Sequence, residues 1–128
     1  MAGVSSESLT AALVALEAKL PFASLQLAKE LFGILGTVDS SAGLRRALTD
    51  PSRSGDEKSA LIKQLFGGKV SADAVEIASG LAGSRWASAR DIGDALETLA
   101  ASVVIAVAEN KSAVSASGIT GLEALEND

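Results

Sequence analysis

The sequence predicts an all-α fold: a six-helix bundle with short connections and a flexible C-terminal tail. Three observations predict it. Apolar residues recur at intervals of three and four in six separate stretches, the spacing of one helix face. No stretch alternates apolar and polar residues between turn signals, as a half-buried strand would. Stop and start signals fall between the stretches, at Pro21, Asp39 to Ser41, Pro51 to Ser54, Gly67 to Ser71 and Ser88. Helices on short connections pack as bundles.

The elements follow in chain order. Ser5 or Ser6 caps a first helix that runs to about Lys19, with Leu9, Leu13, Leu16 and Leu20 on one face and Ala12 beside them. Pro21 breaks it and suits the first turn of a second helix, Phe22 to Val38. That helix carries two apolar stripes, Leu25, Ala28, Phe32, Leu35 and Leu27, Leu31, Ile34, Val38, which predict a central position with partners on both sides. Gly33 and Gly36 weaken it but allow a neighbour to approach. Asp39, Ser40 and Ser41 make a turn and cap a third helix, Ala42 to about Thr49, whose Leu44, Ala47 and Leu48 share a face. Pro51 has no amide to donate and pushes Asp50 out of helical geometry.

Ser54 followed by Glu57 three residues later fits a capping box, so a fourth helix spans Gly55 to Phe66. Its apolar residues are Ala60, Leu61, Ile62, Leu65 and Phe66, and Lys58 and Lys63 are expected to face water. Gly67 and Gly68 stop it. Ser71 caps a fifth helix, Ala72 to Gly83, with Asp73 well placed against the helix dipole. Val75, Ile77, Ala78, Leu81 and Ala82 are its apolar residues, and Ala74, Ser79, Ala82 and Gly83 give it a small-residue outer surface. A sixth helix starts at Ser88 to Asp91 and reaches about Glu109, with Ile92, Leu96, Leu99, Val103 and Val107 as its core stripe. Residues 1–109 thus form one helical domain. After Asn110 the pattern fades, and 110–128 reads as a mobile tail or linker.

Composition narrows function. A chain of 128 residues fits one domain. It has no Cys, His or Tyr, which removes disulfides, thiolate chemistry, the commonest general base and the usual zinc ligand sets. No cofactor or metal is expected, and an enzyme is the least favoured class. Three Phe and one Trp are too few for a nucleic-acid stacking surface, and a net charge of −5 opposes binding to polyanions or an anionic bilayer. The N-terminus lacks a basic region followed by an apolar run, so no signal peptide is read. The most apolar stretch, Leu99 to Ala108, is far short of the about 20 residues a membrane span needs.

Few residues suggest chemistry. Asp39 and Ser40 resemble the glycine-x-aspartate-serine-leucine site of acyl carrier proteins, but Ser41 stands where leucine belongs and a capping turn explains them. Asp56 with Glu57, and Glu123 with Glu126, are paired carboxylates at solvated positions, whereas catalytic pairs need burial. Arg45, Arg46 and Lys58 are isolated cations with no glycine-rich loop after a strand. Arg85 and Trp86 sit at a helix corner, where they read either as an interface anchor, since both types are enriched in hot spots, or, more commonly, as a Trp that closes the core end beside an exposed Arg. The best binding surface lies between the first and fifth helices, with leucine on one wall and small residues on the other, which suits a partner helix laid in a groove; the same residues fit equally well as completing the core.

The run from Leu44 to Ala100 resembles the N-terminal domain of the ATP synthase delta subunit family, the bacterial counterparts of the mitochondrial oligomycin-sensitivity-conferring protein. The likeness lies in features taken in order: Leu48, Thr49, Asp50, Pro51; a serine-rich turn; a helix with Lys58 that closes on Leu65 and Phe66; a helix start at Lys69, Val70, Ser71; an arginine corner at Arg85; and a long last helix. Arg85 with Trp86, and the Gly67 to Ser71 run, are similar to the high-GC Gram-positive branch. The likeness covers about Leu9 to Glu109. Leu9, Thr10, Leu13 and Val14 stand where the family often has an aromatic signature.

The resemblance implies a non-catalytic stator connector, part of the peripheral stalk of the proton-translocating ATP synthase. In that family a groove between the first and fifth helices holds the N-terminal helix of an alpha subunit, and the domain resists rotor torque. Carried onto this sequence, the walls are Leu9, Leu13 and Leu16 on one side and Val75, Ser79 and Ala82 on the other. A b-type stalk subunit would bind through a C-terminal domain that this chain lacks. The implied setting is peripheral, on the cytoplasmic face of the plasma membrane, and the isolated domain is expected to be monomeric. The alternatives are a general six-helix interaction adaptor and, more remotely, an acyl carrier protein loaded on Ser40.

Overall fold

The computed structural model describes residues 3–121, and side chains as far as residue 112. Six α-helices follow one another: α1 Val4–Glu17, α2 Leu25–Ser40, α3 Ala42–Thr49, α4 Gly55–Phe66, α5 Ala72–Ala82 and α6 Ala89–Gly121. No strand occurs among the described residues. The all-α expectation therefore holds, and α3 and α4 have the predicted bounds.

Side-chain caps set the helix starts. Ser24, Ser41, Ser54 and Ser71 each accept the amide of the residue three positions on. At α4 the capping box is complete, since the Ser54 amide also donates to Glu57 Oε1 at 2.9 Å. Those bonds hold the Glu57 carboxyl below its ordinary pKa, the backbone amide of Ser54 contributing most. Glu30 of α2 reaches the start of α5, where it accepts from the Ser71 amide at 2.9 Å and the Ser71 hydroxyl at 2.7 Å. Its pKa is lowered, chiefly by the Ser71 hydroxyl.

The helices pack as antiparallel neighbours. α2 lies along α6: Gly93 at the start of α6 sits beside Leu35 and Asp39 near the end of α2. At the far end Asn110 Nδ2 donates to the carbonyl of Leu20 at 2.9 Å. α4 lies along α5, where a Cβ at Gly55 would come within 2.5 Å of the Gly83 carbonyl oxygen. α1 covers α5 and α6, and α3 closes the ends of α2 and α6. The core lies between these pairs. Leu31, Ile34, Val38, Leu48, Ile62, Ile92, Leu96, Leu99 and Val103 are its largest fully buried side chains beside Leu16. The expected α6 stripe is buried except for half-buried Val107. Trp86 is buried and its Nε1 donates to the Leu81 carbonyl at 2.8 Å.

Several expectations need correction. α1 begins at Val4, and neither Ser5 nor Ser6 caps it. Ser5 is buried, and its Oγ accepts the Ala87 amide at 2.8 Å. Pro21 starts a single 3-10 turn, Leu20–Phe22, and α2 begins only at Leu25 because Ser24 provides the better cap. Of the two α2 stripes, only Leu27, Leu31, Ile34 and Val38 with Ala28 is buried; Leu25 and Phe32 are exposed. The turn at 39–41 is reduced to Ser41, with Asp39 and Ser40 inside the last turn of α2.

Lys58 does not face water. It lies on the inner stripe of α4 with Ile62 and Phe66 and is 6% exposed. The small face of α5 is also turned inward. Ala74, Ser79 and Ala82 are buried, because small residues there let α4 and α5 approach until Ser59 Oγ donates to the Ser79 carbonyl at 2.7 Å. α6 continues beyond Glu109 to Gly121, an extension that no apolar stripe announces in the sequence. Of the tail expected over 110–128, the part beyond Gly121 lies outside the described residues, as do Glu123 and Glu126.

Candidate functional site

The site begins with how α1 is held against α5. The two run antiparallel and are tied at both ends. At the start of α1, Ser8 Oγ donates to the Arg85 carbonyl at 2.6 Å, next to the Ser5 bond to Ala87. At its other end, Lys19 Nζ meets Asp73 Oδ1 at 3.0 Å and Glu76 Oε1 at 3.2 Å. Hydrogen bonding to Asp73 is the main cause of a raised Lys19 pKa, with Glu76 adding to it against partial burial. Both carboxylates are mostly exposed, so this bridge is worth about 0–1 kcal/mol and mainly marks the rim.

Between the ties the two helices do not close on each other. Ala11, Ala12 and Ala15 face Glu76, Ile77 and Gly80, while Leu16, Leu81 and Leu99 form an apolar floor. The gap is a groove of about 230 Å³. Three alanines and a glycine create it, because none has a side chain long enough to fill the gap. Gly80 is exposed in the middle of α5, and a Cβ there would meet nothing within 4 Å.

The groove can bury an apolar helix face and has a charged rim at one end. Its one hydroxyl, that of Ser84, donates to the Gly80 carbonyl at 3.2 Å, and its charged groups, Lys19 and Glu76, pair with each other at the rim. Among the described residues no group of three or more His, Cys, Asp or Glu could hold a metal ion. Among the described residues, too, no helix is long and apolar enough to cross a membrane.

The residues expected from sequence fall as follows. Leu9 and Leu13 are half-buried and packed on the core. Leu16 is 2% exposed and forms the groove floor. Val75 and Ser79 line a separate hollow between α4 and α5, and Ala82 is buried in the core. Thus α1 and α5 do flank a groove, but the α5 wall is turned on by one residue, to Glu76, Ile77 and Gly80. On α1 the wall is Ala11, Ala12 and Ala15 rather than the leucines. The signal for them was present as alanines four residues apart and a glycine inside a helix with no turn to make.

Other sequence candidates have structural roles. The Arg45 guanidinium donates to the carbonyls of Val38 and Asp39, closing the C-terminal end of α2. Ser40 Oγ donates to the Thr37 carbonyl within its own helix. Asp56 and Glu57 are exposed at the start of α4.

No protein-family model matches the chain. Curated relatives do. Over all 128 residues the chain is 98% identical to the ATP synthase subunit delta of Arthrobacter sp. (strain FB24), covering 46% of that protein. It is 88% identical over its whole length to the subunit of Pseudarthrobacter chlorophenolicus and 62% identical to that of Renibacterium salmoninarum, again covering 46% of each. The chain spans about half the length of the curated relatives it matches.

Proposed function

Since the chain belongs to the ATP synthase delta subunit family, we propose that it is the N-terminal domain, residues 1–109, of a non-catalytic stator connector. Its task is to hold the catalytic head of the ATP synthase against rotor torque. It does so by receiving the N-terminal helix of an alpha subunit in the groove between α1 and α5. A b-type stalk subunit is bound by the remainder of the subunit, and the assembly sits peripherally on the cytoplasmic face of the plasma membrane.

The observation that carries this reading is the groove itself. It is apolar and floored by buried Leu16, Leu81 and Leu99. Its walls are small enough for another helix to approach closely. A helix laid there loses apolar surface to water, which is the main favourable contribution in such helix-in-groove binding. Rigid seating suits a connector: the start of α1 is held to the α5–α6 corner by hydrogen bonds at Ser5 and Ser8 before any partner arrives, and its Leu16 is buried in the core, so load is passed to the bundle.

The test separates this from a general adaptor that binds through surface charge. The chain is titrated calorimetrically with a synthetic peptide of the alpha subunit's N-terminal segment at low and high salt. Groove binding keeps its affinity within a few-fold and shows a negative heat-capacity change. Affinity that collapses with salt indicates a charged interface instead.

A further inference from the structure

We propose that the cleft at the N-terminus of α4 is an oxyanion site that takes a phosphate group, remote in function from the partner groove. The anomaly behind it is Lys58. This side chain occupies the first position of the buried stripe of α4, ahead of Ile62 and Phe66, and is 6% exposed. Among the described residues it has no hydrogen-bond or ion-pair partner. The chain's ion pairs in that region use Arg53 with Asp50, at 3.9 Å. The Asp50 carboxylate acts on Lys58 only from beyond ion-pair distance; holding an ammonium in a mostly buried place with no counter-charge in contact is costly, and buried cations are normally paired.

Lys58 lines a cleft of about 750 Å³, bounded by Thr49, Pro51, Arg53, Ser54, Gly55, Glu57, Gly83, Ser84, Arg85 and Trp86, among others. Three features favour an anion there. Lys58, Arg53 and Arg85 bring three cations to one cleft in a chain whose net charge is −5. The cleft opens on the first turn of α4, where the Gly55 amide has no acceptor among the described residues and the helix dipole is positive. The hydroxyls of Ser52 and Ser84 stand at the rim.

Two carboxylates oppose it, and both are engaged. Glu57 is turned to the Ser54 amide, and Asp50 accepts from the amide and hydroxyl of Ser52 at 2.9 and 2.7 Å. Neither lies within ion-pair distance of Lys58. The cleft is larger than a bare phosphate needs and has Trp86 and Pro51 along it, so a phosphate carried on a small organic molecule also fits.

The test is an amide NMR titration of the chain with inorganic phosphate at constant ionic strength. A parallel titration with phenyl phosphate, and both repeated on Lys58→Met, complete it. Saturable shifts on Gly55, Lys58 and Arg85, weakened about tenfold or more in Lys58→Met, support the site. Tighter binding of phenyl phosphate identifies the group as carried on an organic molecule, and equal binding identifies the free ion. Met fits the space of the lysine stem, so the variant is expected to fold with unchanged or raised Tm. Should it not fold, Arg85→Gln, on an exposed side chain, is expected to weaken phosphate several-fold. Shifts that do not saturate, or the same affinity in the variant, overturn the proposal.

Discussion

Gly80→Ala separates the stability of this domain from its proposed binding function more sharply than any other substitution. Gly80 is exposed within α5, and an added Cβ meets nothing within 4 Å in the free chain. Replacing a mid-helix glycine with alanine at an unstrained position stabilises a protein by about 0.5–1 kcal/mol, mostly by restricting the unfolded chain. For a domain of this size that is roughly 2–5 °C in Tm. The open space is open only while the groove is empty. A partner helix seated against Ala12, Ala15 and Gly80 would meet the new methyl group directly. Overpacking a close contact costs about 1–3 kcal/mol, so the alpha-subunit peptide is expected to bind about 5- to 150-fold more weakly. Thermal unfolding followed by circular dichroism reads the first effect and calorimetric titration the second. A variant that is more stable yet binds the peptide unchanged would refute the seating of the helix along Gly80. A variant that is less stable would refute the geometry of the groove itself.

Other outcomes follow from the same contacts. Ser24→Ala removes the α2 cap and is expected to cost about 1 kcal/mol, measured by urea unfolding. Glu30→Gln removes the charge from the tie between α2 and the start of α5 and leaves one acceptor oxygen where there were two, which lowers stability at neutral pH by about 1 kcal/mol. Because the Glu30 pKa is lowered on folding, its contribution is fully present above the ordinary carboxylate range and is lost as pH falls through the depressed value. The stability difference between wild type and variant therefore closes in acid, and a gap that widened there would contradict the assignment. Leu13→Glu places a charge on a residue packed against the core and is expected to cost about 1–3 kcal/mol of folding stability. If it weakened peptide binding with no change in Tm, Leu13 would belong to the groove after all.

The parts of this fold that could be read from sequence are those set by local chemistry. The bounds of α3 and α4 follow from Ser41, Ser54, Pro51 and Gly67, each of which acts on its immediate neighbours. What could not be read depends on which way a helix is turned. One residue is about 100° of helix rotation, and on α5 that is the difference between Ser79, packed against α4, and Gly80, open to the groove. A row of small residues is compatible with a vacant groove or with a neighbouring helix pressed close. Only the Gly55–Gly83 contact decides for the second at Ala74, Ser79 and Ala82. Lys58 illustrates a related point: lysine type alone assigns it to solvent, whereas its position one turn before Ile62 puts it on the buried stripe. The end of α6 was missed because its last turns carry no apolar periodicity. Pro21 suggested a helix start more strongly than Ser24 did, although the serine makes the cap.

The proposed function stands on whether the space between α1 and α5 receives a helix of the alpha subunit. The most direct measurement is an amide NMR titration of the chain with the alpha subunit's N-terminal peptide. Groove binding is expected to concentrate the shifts on Ala11, Ala12, Ala15, Ile77 and Gly80, with Lys19 and Glu76 responding at the rim. Absence of binding at millimolar peptide, or shifts confined to the Val75–Ser79 hollow or to exposed charged residues elsewhere, would contradict it.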